Sequence, residues 1–453
     1  MSNLFASLSS AASSMDAFEQ GLNVVQSNVT NASTPGYAKQ TQVFVADTFD
    51  LSKQLPGGVS LGPVLSSRDQ FLEAAVEQNQ SAAGEAAQRS DGLTQIQPIF
   101  DISSGNGVSD AINGFFSSVS QLSISPNDNT SRQGVIDQAG VLAQRINATA
   151  NSLSSARASD DTQISTQVTS INQLLGQIAG YNNKYAAGFD ANKDPGLDAN
   201  LHTALDSLSE LVDFKALKQG DGSVQIQIGG QFLGVVGDKS YPLSTDFSAT
   251  QAKVLDAGGK DITGEIGSGK LSAILNERNT VIPSYLSDLN TLASTLADNV
   301  NSVLSNGVDE NGNVPATPLF SYDPSIGAAQ TLKVNALAPS DLAAASASAP
   351  GGNGNALALA DLGRTPQVNG FSFSASYGNL AARVGRDLAG AQNDRQSTTA
   401  LLIQSQALRS TTSGVSLNEE AAKLLEFQRS FEASAKLVTA VDAMTVTLIG
   451  IIT

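Results

Sequence analysis

Few side chains in this 453-residue chain are placed to do covalent chemistry. There is one histidine, His202, and no cysteine, and no serine stands near His202 in a recognisable nucleophile motif. A glycosidase acting on peptidoglycan would need two carboxylates across a cleft and, usually, aromatic platforms for sugar. Tryptophan is absent, and no acidic pair stands apart from the solvated faces. The run from Asp190 through Asp194 to Gly196 begins like a calcium loop. Its sixth position is Pro195 and its twelfth Leu201, where such a loop needs Gly and a bidentate Glu. No enzyme activity, cofactor or metal is therefore expected, and the chemistry to look for is association.

Two stretches are built for it. Near the C-terminus, Ser416 and Glu419 form an S-x-x-E capping box, in which the Ser416 hydroxyl takes the amide of residue 419 and Glu419 reaches back. The helix that follows carries Leu424, Phe427, Phe431, Ala435, Val438, Val441, Met444, Leu448 and Ile452 at steps of three or four, hence on one stripe. Lys423, Glu426, Arg429, Glu432 and Lys436 fall on the other face. At the N-terminus, Leu4, Leu8, Ala11, Met15, Phe18, Leu22, Val25 and Val29 make a heptad seam. That helix must stop near Asn31, because Pro35 disfavours α geometry at Thr34 and Pro35-Gly36 suits a type II turn. Burying a Leu or Phe contributes roughly 1.5–3 kcal/mol, while ordering one residue's backbone costs roughly 1–2 kcal/mol. A two-helix seam with Ala11 and Ala435 at its contacts is then marginal alone. Its ends are expected to become ordered as neighbouring copies cover them.

Composition narrows the alternatives. With 42 acidic and 25 basic side chains the net charge is −17, which repels phosphate backbones and argues against nucleic acid. Without cysteine there is no disulfide framework. Lys39 is the first basic residue, so a cleaved secretory signal is not expected. Nor does any stretch read as apolar enough to insert in a membrane.

Between the ends, the period of the pattern changes. Residues 40–49 and 57–66 read as extended chain, and residues 68–96 as a weak helix. Val108, Ile112, Phe115, Val119 and Leu122 mark an amphipathic helix. A longer helical stripe runs through Val135, Ala139, Leu142, Ile146 and Leu153, then Ile164, Val168, Ile171, Leu175 and Ile178. From Lys215 to Ile266 the period falls to two, and a β-meander is expected. Helix returns over residues 269–306, with Pro283 kinking its start. The fold predicted is mainly α with a β-rich insert, in nested, discontinuous domains. Residues 1–45 with 411–453 would form a terminal coiled-coil polymerisation domain. Residues 46–212 with 269–306 and 376–410 would form a long-helix bundle, 213–268 a central β domain, and 307–375 an irregular surface segment.

The paired ends resemble the flagellar axial proteins, the family of rod, hook, hook-associated proteins and flagellin. Asn28, Asn31, Thr34, Pro35, Gly36 and Tyr37 are similar to its asparagine-rich TPGY signature. Residues 413–420, 425–431, 433–438, 441–444 and 448–451 resemble the C-terminal signature of its rod, hook and hook-associated members. Residues 37–41, 115–133, 205–212 and 269–278 are similar to the hook-associated branch. The resemblance implies an extracellular structural part of the bacterial flagellum. Such a part self-assembles at the hook tip, joins hook to filament and lets the filament be built on it. A hook or rod protein of the same family is the alternative. The partners implied are other copies of the chain, hook protein, hook-associated protein 3 and an export chaperone covering the C-terminal stripe. Export would use the flagellar type III apparatus. The turn residues either contact neighbours or only close the turn.

Overall fold

A computed structural model describes residues 2–50, 55–100, 105, 107–189, 194–230 and 232–452. The calcium-like start at residues 190–193 lies outside the described residues. Helix α1 (Ser2–Thr30) leads through a turn to an antiparallel hairpin, β1 (Gln40–Asp50) and β2 (Leu55–Ser66). Four helices follow: α2 (Gln70–Ile96), α3 (Val108–Ile124), α4 (Asn129–Ala186) and α5 (Pro195–Leu211). Acidic N-caps start three of them. Asp69 accepts the amides of Phe71 and Leu72, Asp128 those of Thr130 and Ser131, and Asp194 that of Leu197.

A four-stranded antiparallel meander comes next, in the order β3 (Phe214–Lys218), β4 (Val224–Ile228), β5 (Phe232–Val236), β6 (Lys239–Ser240). Strands β7 (Ser244–Asp246) and β8 (Lys253–Leu255) form a separate pair. Helix α6 (Lys270–Asn276) passes through a π-helical turn at Glu277–Val281 into α7 (Ile282–Ser305). Pro283 sits in the first turn of α7; it has no N–H to give, and the ladder widens just before it.

Residues 307–375 depart from the surface segment expected. Short strands β9 (Gly307–Val308) and β12 (Ala345–Ser346) pair, as do β10 (Phe320–Ser321) and β11 (Lys333–Val334), with α8 (Ala328–Thr331) and α9 (Gly354–Leu362) beside them. Leu319, Phe320, Leu332, Leu342, Leu359 and Val368 are buried in a core with α3, α7 and the first half of α4. Arg132, 1% exposed, holds this segment by donating to the carbonyl of Leu342 at 2.6 Å and to that of Pro126 at 2.7 Å. Helix α10 (Phe373–Ser413) packs on α2, and after a short joint α11 (Leu417–Ile452) packs on α1.

The 58 residues of α4, about 87 Å at the usual rise, serve two cores. Ile146 and Leu153 belong to the first; Ile164, Val168, Ile171, Leu175 and Ile178 pack instead with α5, α6 and the sheets. Asn182 fixes the meander to α4 by bonding both the amide and the carbonyl of Val224. The grouping of residues 46–212 as one bundle is therefore corrected in two places. The hairpin strands packs on α1, and residues 164–212 side with the β-rich part, because their stripe faces the strands. The membrane expectation changes too. An 18-residue window within Phe373–Gly450 is long and apolar enough, by length and composition, to cross a membrane, and only 6% of it is buried.

Leu142 is fully buried in the first core, whereas Leu401 on α10 is half exposed. Leu142→Ala should lower stability by about 2–5 kcal/mol and Leu401→Ala by less than about 0.5 kcal/mol, read as shifts of the urea midpoint.

Candidate functional site

The site is the place where the chain ends meet. Helices α1 and α11 run antiparallel: Asn28, near the end of α1, bonds Glu420, near the start of α11, while Leu4 shares a shallow apolar hollow with Met444 and Leu448. The β1–β2 hairpin covers a second side of α1. Ser14 Oγ accepts the amide of Val59 at 3.2 Å, and Ser10 donates to the carbonyl of Gly57. Phe18, Phe44 and Phe427 meet at ring distances of 5.8 and 5.3 Å, one from each element. A Cβ on Gly21 would stand 2.9 Å from the Phe44 ring and 3.1 Å from the Phe427 ring, so any larger residue would have to shift one or both rings.

At the base of the pair, Asn28 is fully buried and uses its whole amide. Its Nδ2 donates to the Gln40 carbonyl and to Glu420 Oε2, both at 2.8 Å; its Oδ1 accepts from the Gln40 amide and the Tyr37 hydroxyl, both at 2.9 Å. Glu420 is also fully buried, and its other oxygen accepts from Lys423 at 3.1 Å. Burial pushes the Tyr37 phenol up; its bond to Ser27 opposes this, and the charge of Glu420 adds to it. Ser416 Oγ accepts the Glu419 amide at 3.4 Å as expected, while the Glu419 carboxylate reaches Lys39 at 3.4 Å. The joint between α10 and α11 is stitched to the hairpin by Lys39 N–H to the Ser413 carbonyl and by Ser413 Oγ to the Ser67 carbonyl.

The turn before the hairpin docks on the body. Gly36 has φ +74°, and a Cβ there would collide with the Ala199 carbonyl of α5. Thr203 Oγ1 donates to the Pro35 carbonyl at 3.2 Å. Asn31 Nδ2 caps the Ser27 carbonyl and Thr34 Oγ1 donates to Asn31 Oδ1, which closes the turn locally. Arg68 ties three elements together: Nη2 to the Gly36 carbonyl at 2.6 Å, Nη1 to Glu73 at 2.7 Å, Nε to Asp198 at 2.9 Å. Arg409 of α10 completes the knot with Glu73 and Asp206, at 3.1 and 3.0 Å. His202 accepts a place beside it, its Nδ1 2.9 Å from the Asp198 carbonyl, and burial lowers its basicity, with Arg68 adding to the effect. Glu77 is pushed up to about 8 by burial, then by Asp206 and Glu73, against Arg409.

Of the N-terminal seam, Ala11 and Val25 are buried, Leu4, Leu8, Met15, Phe18 and Leu22 half-buried, and Val29 exposed. Of the C-terminal seam, Val441 is buried and Leu424, Phe427, Phe431, Ala435 and Val438 are half-buried. Met444 and Leu448 are exposed, and the side chain of Ile452 lies outside the described residues. With 36 residues against 29, α11 outruns its partner. Ser14, Ala17, Gly21 and Asn28 form the buried line that the heptad reading passed over, because α1 is covered from two sides and not one. A glycine at midhelix, costing up to about 1 kcal/mol, was the available signal.

Residues 93–320, about half of the chain, match the family model described as the helical domain of flagellar hook-associated protein FlgK. Residues 404–451 match that of the flagellar basal body rod FlgEFG protein C-terminal region. Flagellar hook-associated protein 1 of Bacillus subtilis is 28% identical over 98% of this chain and 97% of its own length. That of Salmonella typhimurium is 24% identical over 67% of this chain and 57% of its own. The solved structure of the flagellar hook junction protein FlgK from Burkholderia pseudomallei superposes with a TM-score of 0.66 at 17% identity, over 74% of this chain and 99% of that one.

Asn28→Ala should leave Glu420 buried with one donor fewer and cost about 1–3 kcal/mol, read by amide exchange at the base of α1 and α11. Removing Glu420 as well should give back part of that loss in a double-mutant cycle. Glu77→Gln should leave stability unchanged at pH 4. It should raise it near pH 8.5, where the native carboxyl, displaced from 4.5 to about 8, pays for its ionisation.

Proposed function

The chain belongs to the flagellar hook-associated protein FlgK family, and from that premise we propose that it forms the junction between hook and filament in the bacterial flagellum. It is a structural component of the flagellar axis that assembles with copies of itself. The observation that carries this reading is the two-sided character of the terminal pair. Its inner face is closed by the Asn28–Glu420 network, while Leu425, Leu437, Met444, Val446 and Ile449 remain exposed on α11. A lone chain leaves these apolar side chains, spread around α11, in water, and stacked copies cover them.

Copies in the ring bury these side chains against one another, hook protein meets one end of the ring, and hook-associated protein 3 meets the other. Before export by the flagellar type III apparatus, a chaperone shields the C-terminal seam from Leu424 to Ile452. The N- and C-terminal seams are the self-assembly elements, and the turn from Asn28 to Tyr37 sets their angle to the body. The functional division is threefold: the terminal pair with its hairpin, the first core, and the second core with the meander. The ends of α1 and α11 gain order on stacking.

Cells lacking the chain should make hooks without filaments and lose flagellin to the medium; absence of hooks would instead favour a hook or rod protein. Val446→Asp, at an exposed position away from the hollow under Leu4, should change monomer stability by less than about 0.5 kcal/mol yet impair polymerisation, measured by sedimentation. Equal assembly by this variant would argue against these side chains as the adhesive surface.

A further inference from the structure

Five ionisable side chains crowd the joint between the two cores: Arg157, Asp160 and Asp161 on α4, and Glu277 and Arg278 in the π-helical turn. Arg278 Nε donates to Asp161 at 2.7 Å, and both arginines donate to the carbonyl of Thr250. Asn279 holds the amide and carbonyl of Ala252 at 2.8 and 2.9 Å, so the turn also grips the β7–β8 pair. Asp160 and Glu277 stand outside these bonds. Asp160 is buried and its Oδ2 has no partner; Glu277 is buried with its carboxyl against Gly92 of α2, where a Cβ would collide with Oε2. The charges flanking Gly92 are already engaged, Arg89 with Asp394 and Asp91 with Arg395 of α10. From α7, Tyr285 faces Glu277, but its hydroxyl donates to Asp387 at 2.6 Å and its ring lies under Arg383.

Two guanidinium groups thus meet three carboxyl groups, of which Asp160 and Glu277 are buried. With every carboxyl ionised the joint would hold an excess buried negative charge, which is costly. We propose that Asp160 and Glu277 both stay protonated in the closed joint, that these protons lock the two cores together, and that their release loosens the π-helical turn. Burial raises Asp160, with Asp161 adding and Arg278 opposing, from 3.8 to about 7. Burial, then Asp160, raises Glu277 from 4.5 to about 8. An opened joint, exposed to water, has ordinary carboxyls. At pH below the ordinary values both forms keep their protons, and the closed joint has its full stability. As pH rises toward 8 the opened form sheds protons first, so the closed joint weakens, and above 8 the loss levels off. One α-helix spans both cores, so loosening here changes how firmly one is held to the other.

The test is amide exchange of the full chain between pH 5 and 9.5, corrected for the intrinsic rate. Protection over residues 157–164 and 276–284 should fall by up to about a hundredfold per pH unit between pH 5 and 7, less steeply toward pH 8, and then plateau, with the core around Leu142 unchanged. Asp160→Asn and Glu277→Gln, singly or together, should flatten the slope. Carbon-13 titration of the native carboxyls checks the same point without a substitution: both should titrate between pH 6.5 and 8.5, as expected from values of about 7 and about 8. Protection independent of pH in the native chain, a slope that survives both substitutions, or either carboxyl titrating below pH 5 would overturn the proposal.

Discussion

A carboxylate taken out of water has to be met by donors that the fold holds in place, and that requirement at Glu420 organises the molecule. One donor, Lys423, lies on the next turn of α11; the other, Asn28, is 392 positions away. For the two to meet, everything between them must leave and return at a single point. The Ser413 carbonyl and hydroxyl, bonded to Lys39 and Ser67, mark that point on the returning strand of chain. Asn28 has two donors and two acceptor positions, and all are used. Neither aspartate nor leucine could supply that set, which gives an asparagine in this turn a reason beyond turn propensity.

Polar closure of this kind specifies register better than it adds stability. The apolar contribution of the pair is small by comparison, since the buried line of α1 holds the small residues Ala11, Ala17 and Gly21, with the Phe18–Phe44–Phe427 group as a larger cluster. Small residues let helices approach, but they bury little area. The larger side chains of α11, among them Leu437, Val446 and Ile449, are exposed. A helix with so much apolar surface outside its own seam gains most of its stability from whatever covers that surface. In this way register is set within one chain, and the exposed apolar surface of α11 is left to the contacts between chains proposed above.

Much of this was legible in the residues. The periodicities of α4, α7 and α11 are regular enough to assign, and the hydroxyl cap at Ser416 locates the start of α11. Other features depend on contacts that a linear reading does not carry. A heptad search assumes one partner, and α1 has two, so its buried line shifts to Ser14, Ala17, Gly21 and Asn28. Residues 307–375 look like surface because Gly, Pro, Asn and Ser dominate them. Yet Arg132, 1% exposed and far upstream, supplies donors that let their carbonyls go inside. The continuous stripe of α4 showed a long helix but not that two cores share it, since both halves are equally apolar.

The remaining step is how a terminal pair made for stacking is connected to a body of two cores. Two arginines make that connection. Arg68 grips the turn through the Gly36 carbonyl and the body through Glu73 and Asp198, and Arg409 brings α10 to the same Glu73 and to Asp206. Planar, forked donors can satisfy several elements at once, which a lysine could not do with the same geometry. Gly36 adds a steric limit, because its backbone touches α5 where no side chain fits. The body therefore cannot swing freely about the turn. A subunit whose ends are pinned in a stack presents its two cores in one direction, and any freedom left to them lies further out, where α4 passes from one core to the other.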